Sequence, residues 1–178
     1  RDSLCGVFPR HESRRKALTC QYHLSGVSTC NEIYMRRALE LAANGAAYAS
    51  PNPMVGAVIV APDGRIIGEG WHRRCGEGHA EVNAVASVAE ADIPLLGKST
   101  MFVTLEPCSH FGKTPPCARM IVERGIPRVV VAMADPNPKV CGRGIGILRD
   151  AGVEVEVGLL SDEAYELNRR FLKSVTLR

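Results

Sequence analysis

This sequence of 178 residues has few aromatic residues, no long hydrophobic run and a small net charge. Aromatic side chains make up 5% of the chain and the formal net charge is +3. A nucleic-acid-binding surface usually combines a basic patch with aromatic side chains that stack on bases, so no such partner is expected. The longest apolar run, Met54 to Pro62, is far shorter than the roughly 20 residues of a membrane-spanning helix, so no membrane partner is expected. A small molecule is therefore the expected substrate.

The rest of the composition is that of an ordinary globular protein. Hydrophobic residues account for 46% of the chain and charged residues for 23%. A chain of this length can bury a sizeable core in one domain. We expect that single domain to span residues 31–178.

Residues 1–30 differ in composition from the rest of the chain. They show no hydrophobic period, contain the basic run Arg14 to Lys16, and hold Cys5, Cys20 and Cys30. Arginine and serine with few acidic residues are typical of an organelle transit peptide, whereas a secretory signal needs an apolar run. We expect a transit-peptide-like leader, with a disordered extension as the alternative.

Hydrophobic periodicity divides residues 31–178 into alternating elements. A helix is predicted from its expected cap, Asn31, to a stop at Asn44-Gly45. Two β-branched runs joined by Pro62-Asp63-Gly64 predict a hairpin, and a second helix is expected from His79 to Ala91. The later elements are, in order, strand TMFVTL, helix PPCARMIVERG, strand RVVVAM, helix GIGILRDAG, strand VEVEV and a closing helix from Ser161 to Lys173.

This order of elements predicts an α/β fold with three layers. A hairpin followed by alternating helices and strands gives a central mixed sheet whose later strands are parallel, with helices on both faces. Sites in such sheets gather at the carboxyl ends of the strands. The site is therefore expected at that edge.

A histidine and two cysteines are placed where they could bind a metal. His79 opens a predicted helix, Cys108 follows the central strand, and Cys117 lies in the first turn of the next helix, where Thr114 is the expected cap and Pro115 and Pro116 follow it. The positive end of a helix dipole favours a thiolate and a neutral imidazole, which are the metal-binding forms. One nitrogen and two sulfurs predict a Zn²⁺ site with its fourth position open to water, as in catalytic zinc.

Glu81 lies two residues after His79, where a purely structural helix would have no use for the pair. Zinc lowers the pKa of a bound water to about 7, but catalysis also requires a group that carries the proton to the leaving atom. Side chains in the first turn can converge in front of the helix end. We therefore predict that Glu81 is the catalytic proton shuttle.

His-x-Glu followed by Pro-Cys and a second Cys is the signature of zinc deaminases. In this chain the insert SHFGKTPP separates the two cysteines, where the usual signature has only two residues between them. That insert, with HAEVNAV, VTLEPCSH, SPNPMVGAV and ADPNPKVCGRGI, resembles the deaminase domain of the riboflavin-pathway bifunctional deaminase/reductases and their plastid pyrimidine-deaminase relatives. The resemblance extends from about Tyr34 to Leu172.

The resemblance implies a cytidine deaminase-like α/β/α fold and a hydrolytic reaction. The expected substrate is a phosphorylated pyrimidine, 2,5-diamino-6-(5-phosphoribosylamino)pyrimidin-4(3H)-one. Its products would be 5-amino-6-(5-phosphoribosylamino)uracil and ammonia. The leader-like composition of residues 1–30 separately indicates delivery to the plastid stroma, the cytoplasm being the alternative. The resemblance is also compatible with a homo-oligomer and with a reductase-like domain beyond Arg178.

The resemblance also assigns roles to individual residues. It implies that His79, Cys108 and Cys117 bind zinc and that Glu81 moves protons. The positions expected to contact the substrate are Asn52, His72, His110 and Lys113.

Two other functions remain open at the level of sequence. A nucleobase deaminase acting on RNA would share the zinc chemistry, although it would be expected to have a basic face and the short cysteine spacing. A non-catalytic binding module could instead hold a closed zinc site made by Cys75, His79, Cys108 and Cys117. The closed site gives Glu81 no role and would exclude a zinc-bound water.

Overall fold

A computed structural model describes residues 26–110, 115–135 and 141–176. Five strands and five α-helices are described, with one 3₁₀ helix between α2 and β3. In chain order they are α1 (Gly26–Ala43), β1 (Gly56–Val60), β2 (Ile66–Trp71), α2 (Ala80–Ala86), the 3₁₀ helix (Glu90–Lys98), β3 (Thr100–Val103), α3 (Cys117–Glu123), β4 (Arg128–Val131), α4 (Arg143–Asp150), β5 (Glu154–Val157) and α5 (Ser161–Thr176). In this part of the chain no helix is both long and apolar enough to cross a membrane.

The strands form a mixed sheet with the order β2-β1-β3-β4-β5. β1 is antiparallel to both β2 and β3, whereas β3, β4 and β5 run parallel to one another. The predicted hairpin joins β1 to β2, and its turn places Gly64 at a φ of 82°, in the region that favours glycine. The predicted mixed sheet with parallel later strands is confirmed.

Helices cover both faces of the sheet because β1 is buried on both sides. Alternate β1 residues face opposite ways: Ala57 and Ile59 join one apolar cluster, and Val58 and Val60 join the other. The first cluster includes buried residues of α2, α3 and α4, and the second includes buried residues of α1 and α5. The predicted three-layer arrangement is confirmed.

A glycine in β2 lets α2 lie directly on the sheet. A Cβ atom at Gly70 would overlap the backbone nitrogen of Ala84 and the carbonyl oxygen of Ala80, both in α2. The strand can therefore approach the helix backbone only where it has no side chain. This contact holds the helix that begins beside His79.

Several predicted helix boundaries are wrong. α1 begins at Gly26 rather than after Asn31, so Asn31 lies inside the helix and does not cap it. No proline interrupts residues 26–31, so nothing in that stretch stops the helix from continuing. α5 likewise continues to Thr176, beyond the predicted end at Lys173.

The ends of α2 and α3 differ from the predictions for local chemical reasons. α2 ends at Ala86 rather than Ala91, because the Ser87 hydroxyl donates to the Ala84 carbonyl oxygen (2.8 Å) and competes with the helix backbone. α3 begins at Cys117, with Pro116 extended at the N-cap. A residue before proline is pushed away from helical angles, so Pro115 does not begin the helix. The predicted cap, Thr114, lies outside the described residues.

Candidate metal and catalytic site

His79, Cys108 and Cys117 lie together although they come from separate parts of the chain. The Nδ1 atom of His79 is 3.5 Å from Cys108 Sγ and 3.4 Å from Cys117 Sγ. All three potential ligand atoms lie within 4.8 Å of one another. The structure therefore brings the three predicted ligands into one group.

The parallel edge of the sheet brings these residues together. Beyond the ends of β3 and β4, the Ala132 N–H donates to the Val103 carbonyl oxygen and the Glu106 N–H donates to the Met133 carbonyl oxygen. This continued pairing leads the chain to Cys108, whose carbonyl oxygen accepts the Ala118 N–H of α3. The site lies at the carboxyl ends of the strands, as predicted.

The donor set and its spacing fit a tetrahedral zinc ion. Zinc bound at about 2.0–2.3 Å from nitrogen and sulfur places neighbouring ligand atoms roughly 3.5–3.8 Å apart. The two nitrogen–sulfur distances here are 3.5 and 3.4 Å. Among the described residues, exposed Cys75 is not part of the group, so the closed four-ligand arrangement is not formed there.

The two cysteines differ in their electrostatic surroundings. A hydrogen bond with the Cys117 side chain, and another with His79, lower the pKa of Cys108. The Cys117 backbone N–H also donates to Cys108 Sγ, at 3.2 Å. The pKa of Cys117 is raised by its hydrogen bond with Cys108 and by burial. Zinc binds cysteine as the thiolate, so metal binding would displace any thiol proton from these two side chains.

Glu81 lies in the first turn of α2 with only 3% of its surface exposed. His79 is the extended N-cap residue (ψ 166°), so the usual rotation between helical positions does not separate the two side chains. Burial raises the pKa of Glu81 to about 7, and the carboxyl group interacts with Cys108, His79 and Cys117. A carboxyl with a pKa near neutrality can both accept and return a proton, which suits the predicted shuttle.

Asn52 and His72 form a hydrogen-bonded pair beside His79. The Asn52 amide nitrogen is 3.1 Å from His72 Nε2, and His72 Nδ1 is 3.2 Å from the Gly78 carbonyl oxygen. A carbonyl can only accept, so Nδ1 carries the proton and Nε2 accepts from Asn52. Burial lowers the pKa of His72, and its ring meets the His79 ring edge-on at 5.6 Å. Both predicted substrate contacts are therefore near the metal ligands.

The other two predicted substrate contacts come from the insert between the cysteines. His110 is exposed, two residues after Cys108. Lys113 lies outside the described residues. The substrate contact of all four residues remains a prediction.

Asn168 supports the segment that carries Asn52, a role that the sequence did not predict. Only 2% of Asn168 is exposed, and its side chain donates to the Met54 carbonyl oxygen and accepts the Met54 N–H, both at 2.8 Å. It stands four residues from each of two buried apolar residues of α5, Ala164 and Leu172. The signal available in the sequence was an amide side chain at a position where the helix is otherwise apolar.

Comparisons with known proteins agree with this geometry. The family described as the cytidine and deoxycytidylate deaminase zinc-binding region matches residues 28–133. Riboflavin biosynthesis protein RibD of Escherichia coli is 51% identical over 143 residues, which are 80% of this chain and 38% of the relative. The diaminohydroxyphosphoribosylamino-pyrimidine deaminase of Buchnera aphidicola from Schizaphis graminum is 47% identical over 143 residues, 80% of this chain and 94% of the relative.

A solved structure has the same architecture. The diaminohydroxyphosphoribosylaminopyrimidine deaminase/5-amino-6-(5-phosphoribosylamino)uracil reductase of Thermotoga maritima matches with a TM-score of 0.79 and 47% identity. The match covers 84% of this chain and 42% of the Thermotoga chain. This chain thus spans well under half the length of the Thermotoga and E. coli relatives, but nearly all of the Buchnera one.

The position of Cys75 gives a test of the closed four-ligand alternative. We expect Cys75→Ala to retain the zinc content of the unmodified protein, because the exposed thiol is outside the group of ligand atoms. Cys108→Ala should lose most of the metal, because it removes one of the three grouped donors. Metal analysis of both purified variants checks this, and loss of zinc from Cys75→Ala would instead support the closed site.

Proposed function

Because this chain belongs to the cytidine and deoxycytidylate deaminase family, and within it to the diaminohydroxyphosphoribosylaminopyrimidine deaminases, we propose that it is a zinc hydrolase of riboflavin biosynthesis. Its proposed reaction converts 2,5-diamino-6-(5-phosphoribosylamino)pyrimidin-4(3H)-one to 5-amino-6-(5-phosphoribosylamino)uracil and ammonia. The observation that carries the proposal is the grouping of His79, Cys108 and Cys117 beside buried Glu81.

The proposal concerns the deaminase step alone. The Buchnera relative, 94% of which this chain covers, has only the deaminase name. The Thermotoga relative is named as both a deaminase and a reductase, and this chain covers 42% of its length. The reductase activity therefore belongs with the part of such relatives that this chain does not match.

The residues of the site have complementary roles in this reaction. His79, Cys108 and Cys117 would hold Zn²⁺, which supplies an acidified water as the nucleophile. As a water oxygen bonds to the ring carbon, Glu81 would pass one water proton to the ring nitrogen, and it would carry the second to the departing amino nitrogen. The carbon–nitrogen bond then breaks and ammonia leaves.

The substrate is proposed to bind through four polar side chains. Asn52 and His72 lie beside His79, where they can orient the pyrimidine ring. His110 and Lys113 belong to the insert between the two cysteines. A lysine in that insert can meet the substrate phosphate with a charge-assisted hydrogen bond.

Ammonia release from three candidate substrates tests the proposed function. The zinc-loaded protein should release ammonia from the phosphorylated diaminopyrimidine much faster than from cytidine or from a transfer RNA. Faster release from the RNA would favour a nucleic-acid deaminase. Absence of release from all three, with zinc bound, would favour a binding module.

Replacing the proposed proton shuttle should remove most of the turnover without removing the metal. Glu81→Gln keeps the shape of the side chain but cannot accept the proton, so we expect kcat to fall by about 10²–10⁴-fold. Zinc content and circular dichroism should stay unchanged. Exposed Glu90, at the start of the 3₁₀ helix, gives the matched control Glu90→Gln, which should retain full activity. A fully active Glu81→Gln protein would exclude Glu81 from proton transfer.

The proposed role of Lys113 in phosphate recognition gives a substrate-dependent prediction. A hydrogen bond to a charged group contributes about 1.5–3 kcal/mol, so Lys113→Ala should lower kcat/KM for the phosphorylated substrate by roughly 10- to 150-fold. The loss should largely disappear with the dephosphorylated substrate. The control is Lys98→Ala, because Lys98 precedes β3 whereas Cys108 follows it. Equal losses on both substrates would contradict phosphate recognition by Lys113.

Plastid delivery by residues 1–30 is a separate proposal, supported by their composition. A fluorescent protein fused after residue 30 should enter isolated plastids. The same fusion with Arg14, Arg15 and Lys16 replaced by glutamate should not, because transit peptides are poor in acidic residues. Import of both fusions, or of neither, would contradict the proposed role of this stretch.

A further inference from the structure

Glu106 is a buried glutamate that the proposed reaction does not use. Only 6% of its surface is exposed, and it lies two residues before Cys108. Its Oε2 atom accepts the backbone N–H groups of Asp135 and Gly142, both at 3.0 Å. Its Oε1 atom accepts those of Gly144 at 2.9 Å and Ile145 at 3.3 Å.

These four bonds join the chain before Cys108 to the chain after β4. Gly142 is the N-cap of α4, and Gly144 and Ile145 lie in its first turn, whereas Asp135 precedes the helix. A carboxylate offers about four acceptor positions, and all of them are used here. Glu106 therefore has no acceptor position left for a substrate or a metal.

A close backbone contact reinforces the connection. A Cβ atom at Gly144 would overlap the Pro107 carbonyl oxygen and would come within 3.3 Å of Glu106 Oε1. The first turn of α4 thus rests directly on the peptide that leads into Cys108. Pro107 has no N–H, so the preceding peptide, between Glu106 and Pro107, cannot be fixed by a backbone donor.

We propose that Glu106 is a positioning residue that sets the place of Cys108 in the metal site. By binding the first turn of α4, Glu106 holds Pro107 against Gly144. Cys108 Sγ is thereby kept 3.5 Å from His79 Nδ1. This inference rests on the zinc site of the proposed function, but it concerns retention of the metal and not the choice of substrate.

Two substitutions break the connection from opposite sides. Glu106→Gln turns one acceptor oxygen into an NH₂ group that faces N–H donors, so at least two bonds are lost. Gly144→Ala leaves the carboxylate intact but pushes α4 away from Pro107. Gly146→Ala is the matched control, because it is the same change in the same helix and its Cβ would meet nothing within 4 Å.

The experiment measures the rate at which zinc passes to a chelator, with no substrate present. Each zinc-loaded variant is assayed below its own unfolding midpoint, as determined by circular dichroism. Changes to groups that orient metal ligands typically cost about 10- to 100-fold in metal affinity, so Glu106→Gln and Gly144→Ala should both lose zinc roughly that much faster. Gly146→Ala should lose zinc at the rate of the unmodified protein.

Three results would overturn the proposal. The first is zinc retention by Glu106→Gln equal to that of the unmodified protein, and the second is equal zinc loss from Gly144→Ala and Gly146→Ala. The third is failure of both Glu106→Gln and Gly144→Ala to fold at saturating zinc, which would make Glu106 a residue of global stability. Because no substrate is used, the expected zinc pattern could hold even if the ammonia assay rejected the proposed reaction.

Discussion

The pairing of β3 with β4 continues past the ends of both strands, and the site depends on this extension. The bonds from Ala132 N–H to Val103 and from Glu106 N–H to Met133 carry the chain out of the sheet in a fixed direction. Cys108 follows two residues later, and α3 brings Cys117 back to it. α2, held against β2 at Gly70, brings His79 to the same two cysteines. A rigid sheet edge thus supports three ligand atoms from separate segments.

Burial gives the site its chemical character as well as its shape. Glu81 has a pKa of about 7 because it is removed from water, whereas the hydrogen bond with Cys117 lowers the pKa of Cys108. Burial also lowers the pKa of His72. Neighbouring groups of the site therefore have pKa values shifted in opposite directions.

Features marked by a repeating apolar pattern, a turn sequence or a known ligand motif could be predicted from the sequence. The hairpin, the mixed sheet and the grouping of His79 with the two cysteines follow from periodicity, turn residues and spacing. The predicted ends of α2 and α3 were wrong because the Ser87 hydroxyl and the consecutive prolines Pro115-Pro116 override the apolar pattern. Glu106 and Asn168 were missed because they bind backbone atoms far along the chain, and those partners have no signature in the sequence.

Asn168 also has a consequence for the order in which the domain can be completed during synthesis. Its two bonds to Met54 join residues 114 positions apart, and Met54 lies close in sequence to Asn52. A nascent chain that has emerged from the ribosome only as far as β5 already contains His79, Cys108 and Cys117 but still lacks Asn168. The metal-binding half of the site can therefore assemble during translation, whereas the half that carries Asn52 is secured only when α5 has left the exit tunnel.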